Sequence, residues 1–569
     1  MGIGALRAVK GPPRVPASCL IVALWSSLLA ACAASPPPPS TDIDETAYRD
    51  AIRVLASDEF EGRRPGTAGA DKTVAFLADH FRKLGLKPGN GTGKSASFLQ
   101  QVPLVEISSG ADTSFVVSGQ SGPHPLKLGQ EAVIWSKRAV PELQLRRSDL
   151  VFVGYGTVAP EYSWDDYAGT DVHGKTVLVL AGDPGVGSKD PTIFKGNSLT
   201  EYGRWEYKVE EAARQGAAGV LLVHDPKVLG YGWNTVQSVW GGPQFELAAP
   251  DGYANRAAIE GWIQLDAARG LFADAGLDFA SVTAAAAHAG FKAVLLRAKV
   301  DATLHDSMRS FNSQNVVALL PGGKHSEEYV LYTAHWDGLG VDRTHPGHAV
   351  YSGAVDNATG AAGLIVLAQS FVRTKPVPDR SIVFLATTAA DPGLLGSIYY
   401  AENPPFALRR TAAVIDVDSL LPGGHSRDLA VFGFGNTDME ETARSVALLQ
   451  GREMHPDPFP DLALYLRSDS YTFARYGVPV LFAQSGTDNA ARGPAWGRAQ
   501  REDFLAHRDL QPADQYSADW DVVGALDDLT LYYEVGNRVA RSRRFPRWYP
   551  NSEFRGSHRH AAAAEPATD

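Results

Sequence analysis

The spacing of apolar residues predicts two helices near the front of the chain. Over residues 41–57, Ala51, Val54 and Leu55 fall on one helical face, and Asp42 or Asp44 stands where an N-cap belongs. Over residues 70–84, Val74, Phe76, Leu77, Phe81 and Leu84 form a second apolar stripe that stops near Gly85. Between them, Glu61-Gly62-Arg63-Arg64-Pro65-Gly66-Thr67-Ala68-Gly69 reads as a loop by its glycine and proline content. From about 126 to 300 the texture is β-rich. Leu150–Val153 and Thr176–Leu180 read as short strands, and the alanine-rich helix 210–215 leads into the apolar run 217–223. This segment carries Trp164, Trp205, Trp233 and Trp240. They either pack its core or line a substrate cleft.

Beyond Asn315 the pattern changes again. Apolar runs at 316–320, 329–333, 382–386, 413–417 and 478–483 alternate with helical stretches such as 360–371 and 440–449. Strands that are apolar throughout, alternating with helices, predict an α/β fold with a mostly parallel sheet covered on both faces. Ligands bind such sheets at the carboxyl ends of the strands. Reading those ends gives Ala334-His335-Trp336-Asp337, the loop Gly353–Gly360 with Asp356 and Asn357, the run Thr387–Ser397 with Asp391, and Asp416 with Asp418. A histidine and several aspartates converging at strand ends form a nitrogen and oxygen donor set suited to zinc. Taken singly, each aspartate could equally be a helix cap.

Composition narrows the class. The chain has 569 residues, 44% hydrophobic and 21% charged, which excludes a disordered chain, a collagen and a multi-span membrane protein. Its net charge of −11, without long basic runs, argues against nucleic-acid binding. With only two cysteines, Cys19 and Cys32, neither a disulfide framework nor a cysteine-rich zinc module is available. Residues 1–31 read as an export signal: basic Arg7, Lys10 and Arg14, then an apolar stretch from Ala17 to Ala31 that is too short to span a membrane. Leu29-Ala30-Ala31-Cys32 resembles a bacterial lipobox, in which the cysteine becomes the lipidated first residue, and Pro36–Pro39 form a stiff tether. The alternative is an ordinary secretory signal with a chance cysteine. Ala33 and Ala34 lack the acidic residue that retains lipoproteins at the inner membrane, so the expected location is the periplasm-facing side of the outer membrane.

These motifs, in this order, resemble the double-zinc exopeptidases of metallopeptidase family 28, in the branch with an inserted protease-associated domain. The resemblance rests on Asp58–Thr67, on Tyr202-Gly203-Arg204-Trp205 with 210–223, on His335-Trp336-Asp337, on Gly353–Gly360 and on Gly393–Ser397. It implies a signal at 1–31, a tether at 32–43, a first peptidase segment at 44–125, an insert at 126–300, the metal-bearing peptidase segment at 301–545 and a disordered tail at 546–569.

By the same resemblance His335, Asp356 and Asp418 hold one zinc ion, with Asp356 bridging to a second and Asp337 orienting His335. Of the family's adjacent glutamates, the general base matches Ala390 and the zinc ligand matches Asp391, which leaves Asp391 as the only carboxylate near the base position. The last histidine ligand matches Leu510 in Leu510-Gln511-Pro512-Ala513-Asp514, and Ser470 replaces another usual histidine. His507 lies three residues earlier, where a local shift would bring it into Leu510's place. The implied function is a zinc aminopeptidase-type exopeptidase of the cell envelope with a degenerate site and one tightly bound zinc. The alternative is an inactive pseudopeptidase that binds peptides. Peptides or small protein fragments are the expected partners, the membrane is met only through the lipid anchor, and the oligomeric state is open. If Cys32 carries the anchor, Cys32→Ser shifts the protein from the membrane pellet to the soluble fraction on cell fractionation. Retention in the pellet would place the anchor elsewhere.

Overall fold

The computed structural model describes residues 43–188, 190–342, 348–391 and 393–556. The signal, Cys32 and the tether up to residue 42 lie outside the described residues. Both leading helices form as the pattern predicts. Glu45–Leu55 is capped by Asp44, whose Oδ1 accepts from the Ala47 amide at 3.0 Å, and Ala68–Lys83 is capped by the Thr67 hydroxyl.

The peptidase half is built on a mixed sheet. Its centre consists of four parallel neighbours in the order Arg380–Thr387, His325–His335, Thr411–Asp416 and Val480–Ser485. Antiparallel strands flank them: the end of Val294–Leu320 on one side and Asp428–Phe432 on the other. Alternate residues of the central strands feed two separate cores. Val330 and Tyr332 pack with Tyr48, Ile52, Leu77, Leu364 and Leu529 beneath helices Glu45–Leu55, Ala68–Lys83, Gly360–Arg373 and Val523–Arg541. Leu331 and Val383 pack with Tyr400 and Phe473 on the opposite face. The sheet is therefore buried on both sides, which is why the middles of its strands are mostly apolar on both faces. The stretch Ala354–Arg373 is apolar and long enough to cross a membrane, but it is mostly buried within the protein and acts as a core helix.

The insert has its own sheet. Glu142–Phe152, Thr176–Leu180, Gly219–His224 and Ile259–Gln264 run parallel, with Ala132–Trp135 and Ser114–Gly119 at its flanks. Two features differ from the boundaries expected at 126 and 300. Ser114–Gly119 already belongs to the insert sheet. The other boundary falls inside one continuous strand, Val294–Leu320, of 27 residues. That strand pairs with Ser114–Gly119 at 299–303, with Leu99–Ser109 at 306–316, and with Arg380–Thr387 at 316–320. Its alternating polarity gave no sign that one strand serves two sheets. The tail also differs from expectation. Trp548 and Phe554 are buried in the same core as Tyr465 and Tyr471, so ordered chain continues to Gly556 because these two aromatic rings have somewhere to pack. Residues 557–569 lie outside the described residues.

Candidate metal and peptide site

The strand ends bring together the residues singled out in the sequence. His335 closes strand His325–His335, Asp356 sits in the loop before helix Gly360–Arg373, and Asp418 follows strand Thr411–Asp416. Their ligand atoms all lie within 4.8 Å of one another. His335 Nε2 is 3.0 Å from Asp356 Oδ1 and 3.7 Å from Asp418 Oδ1. His335 is buried and both carboxylates are half-buried. A converging set of one imidazole and two carboxylates fits zinc. Burial works to lower the His335 pKa, but the carboxylates of Asp337, Asp356 and Asp418 outweigh it and hold it well above the ordinary value. Asp337 is fully buried beside the other ring nitrogen, 3.7 Å from Nδ1, with its backbone carbonyl at 3.3 Å.

Three further groups hold these loops, and sequence reasoning did not assign their roles. Arg63 is completely buried. Its guanidinium donates to the carbonyls of Trp336 at 2.9 Å, Ser352 at 2.6 Å, Gly353 at 2.8 Å and Leu55 at 2.8 Å. It thus joins the His335 loop, the Asp356 loop and the first helix. Burial lowers its pKa to about 10, a drop opposed by Asp514, Asp337 and Asp356. Asp514 accepts from the amides of Val355 at 2.9 Å and Asp356 at 3.0 Å. The Asn357 carboxamide oxygen accepts from the amides of Gly360 at 2.9 Å and Ser419 at 3.1 Å, linking the Asp356 loop to the Asp418 loop.

The other half of the cleft is built differently. Where the resemblance places a general base, Ala390 offers only its backbone amide, which donates to both Asp337 carboxylate oxygens at 3.2 and 3.1 Å. Asp391 lines the same cavity. Burial and the charges of Asp356 and Asp337 push its pKa up to about 7, against His335 and Arg467. Leu510 takes a left-handed backbone (φ 55°) and packs against the core of the insert. The neighbouring Asp509 lines the metal cavity beside it, hydrogen-bonded to Asp356, with its pKa raised well above the carboxylate range by burial and by that carboxylate. His507 is exposed at the end of helix Pro494–His507, 3.2 Å from Asp503, and does not reach the cavity. Ser470 is fully buried and donates to Asp416 at 2.6 Å, so it does not line the cavity.

A buried His and Asp cluster at the carboxyl ends of parallel strands defines a metal-site protein of the α/β type. Residues 315–533 match the sequence profile of Peptidase family M28. Among curated proteins, a "Probable zinc metalloprotease" of Pyrenophora teres f. teres is 35% identical over 108 residues, covering 19% of this chain and 22% of the relative. "Aminopeptidase NAALADL1" of Mus musculus is 30% identical over 125 residues, 21% of this chain and 15% of the relative. The chain therefore matches about a fifth of the length of these relatives. Among solved structures, an aminopeptidase from Aneurinibacillus sp. strain AM-1 is 17% identical with a TM-score of 0.48, covering 90% of this chain and 95% of that one. A Peptidase M28 precursor from Shewanella amazonensis is 17% identical with a TM-score of 0.46, over 90% and 99%.

Replacing Arg63 with alanine removes the donor from the carbonyls of Trp336, Ser352 and Leu55, with Gly353 still held by the Ala358 amide, and should cost about 3–5 kcal/mol in denaturant unfolding. Arg63→Lys should not restore it, because an ammonium cannot span acceptors set around a planar fork. Full stability in the lysine variant would show that charge alone, rather than the fork, holds these loops.

Proposed function

We propose that this protein is a zinc-binding member of the exopeptidase class, exported to the cell envelope, whose cleft holds the ends of peptides and hydrolyses them slowly at best. The carrying observation is the contrast between the two halves of the cleft. His335, Asp356 and Asp418 converge as a metal site, whereas Ala390 presents no side-chain base beside it. Bound zinc would supply Lewis acidity toward a peptide carbonyl and a water. Asp337 fixes the His335 ring, and Arg63 and Asp514 fix the two loops that carry His335 and Asp356. What the chain lacks is a committed proton acceptor. Asp391 shares that corner with Asp509, and using Asp391 as a base would withdraw it from holding a second ion.

The magnitudes favour weak turnover. A positioned general base contributes about 10²–10⁴-fold. Loss of a metal ligand should cost at least the ~10–100-fold seen when its supporting partners are removed. A role in binding alone is the second reading, and Leu510 favours it, since the residue at the expected ligand position forms the wall of a neighbouring apolar cavity.

Elemental analysis of the purified mature protein should find one zinc per chain, lost in His335→Ala. Two zinc ions at full occupancy would contradict this reading. With zinc present, turnover of amino-acid anilides should fall well below the ~1–10³ s⁻¹ of ordinary enzymes. Ala390→Glu combined with Leu510→His should raise it by more than the two single changes together, because both defects act on one step. Fast wild-type turnover would mean that another residue serves as the base.

A further inference from the structure

A basic surface forms where two helices end. Helix Gly360–Arg373 runs out into the segment 374–378, and helix Val523–Arg541 runs out into 542–549. The two segments are packed together. The Arg541 guanidinium donates to the Pro376 carbonyl at 2.6 Å, and the Thr374 and Tyr533 hydroxyls lie 2.6 Å apart. Buried Arg380 follows the first segment and donates to the carbonyls of Val539 and Ser542, each at 2.6 Å. Residues 371–378 hold two basic side chains and residues 535–552 hold five, with no acid in either stretch, in a chain whose net charge is −11.

Arg373 and Arg541 close their helices, where the helix dipole favours a cation. Arg543, Arg544 and Arg547 lie beyond the helix and have no such reason. These three, with Arg373 and Lys375, are exposed and have no ion pair among the described residues. The acids around them are engaged or stand at the edge. Asp438 accepts from the Arg547 amide at 2.8 Å, Glu328 pairs with Arg380 at 2.7 Å, Asp379 lies 4.0 Å from Lys324, and Glu441 lines a groove with Arg538 and Arg544. The tip of the first segment is apolar: Val377 is 39% exposed between Pro376 and Pro378. The chain that comes from Cys32 enters the fold nearby. Asp44 accepts from Gln369 at 3.4 Å, one turn before Arg373 on the same helix. The eleven residues between Cys32 and Asp44 reach about 40 Å at most.

We propose that this patch is a docking surface for an anionic phospholipid bilayer. A bilayer presents phosphates outside and acyl chains beneath, and the patch answers with guanidinium groups around an apolar tip. The planar fork of arginine suits phosphate oxygens, and Val377 with its flanking prolines meets the headgroup boundary. An anchor at Cys32 would keep the patch within the tether's reach of the membrane, and docking would then decide which face of the protein lies against it. Docking itself needs neither zinc nor an acyl chain.

The test is co-sedimentation with vesicles of the full mature chain, residues 32–569, carrying Cys32→Ser so that no acyl anchor is present. Vesicles of phosphatidylglycerol and phosphatidylcholine in equal parts should pellet the protein, and vesicles of phosphatidylcholine alone should not. Sodium chloride at about 1 M should release it, because the screening length falls to about 3 Å. Arg543→Ala, Arg544→Ala and Arg547→Ala together should weaken binding about 100-fold, whereas lysine at the same three positions should keep most of it. Arg373→Ala with Lys375→Ala, on the other segment, gives a second and independent loss. Removing the same charge from the insert, by Lys127→Ala, Arg146→Ala and Lys292→Ala, should leave binding unchanged. Thermal unfolding checks that each variant is folded. Equal pelleting by both kinds of vesicle, pelleting by neither, full binding in the arginine variants, or an equal loss in the insert control overturns the assignment. Release by inorganic phosphate at an ionic strength where sodium chloride does not release the protein also overturns it, since the patch would then hold a single phosphate group rather than a surface. None of these results bears on the anchor at Cys32, which cell fractionation reads separately.

Discussion

One buried guanidinium organises the end of this molecule that carries His335 and Asp356. Arg63 reaches four backbone carbonyls on three segments that are far apart in sequence, and each of those carbonyls is inside the protein, where an unmet acceptor is costly. The loop that carries Arg63 must come very close to deliver it. An added Cβ at Gly62 would stand 2.4 Å from the Gly340 carbonyl oxygen and 2.5 Å from that of Tyr351, and Gly62 itself has φ 60°. Only glycine permits that approach. The first helix, the loop after it and the loops that carry His335 and Asp356 are thus one mechanical unit.

Much of this was legible in the sequence, and the part that was not has physical reasons. The helices with caps and apolar stripes appear where periodicity predicts them, because their signals are local. His335, Asp356 and Asp418 were legible because a strand end is itself a local signal and three of them converge. Arg63 stood in a quoted motif, yet its partners Trp336, Ser352 and Gly353 are some 270 to 290 residues away, so nothing local revealed that it joins the two site loops. Asp514 was visible only as part of a spacing, and its role in holding the Val355 and Asp356 amides depends on the fold. Asp509 was hidden by its neighbour: attention to Leu510 as a missing ligand obscured the side chain beside it that faces the cleft.

The two halves of the cleft obey different physics. On the His335 side, charge is balanced by an imidazole and by many backbone amides. On the other side, Asp391 and Asp509 face Asp356, with Arg467 as a countercharge to both and His335 as a further one to Asp391. Carboxylates so arranged hold their protons more tightly, and that corner is electrostatically costly unless a cation or a ligand's amino group enters it. The same corner adjoins a second cavity, whose far side is lined by Trp205, Trp240 and Trp262 of the insert. Polarity therefore changes within one continuous hollow, from ionic at the strand ends to aromatic beneath the insert.

The 27-residue strand Val294–Leu320 gives this arrangement a further property. Because one uninterrupted backbone ladder belongs first to the insert sheet and then to the peptidase sheet, there is no flexible seam at which the insert could be excised or exchanged as a cassette. A graft of a relative's insert would have to match strand register as well as surface shape, since a slip of one residue would turn every side chain of the shared strand to the opposite face.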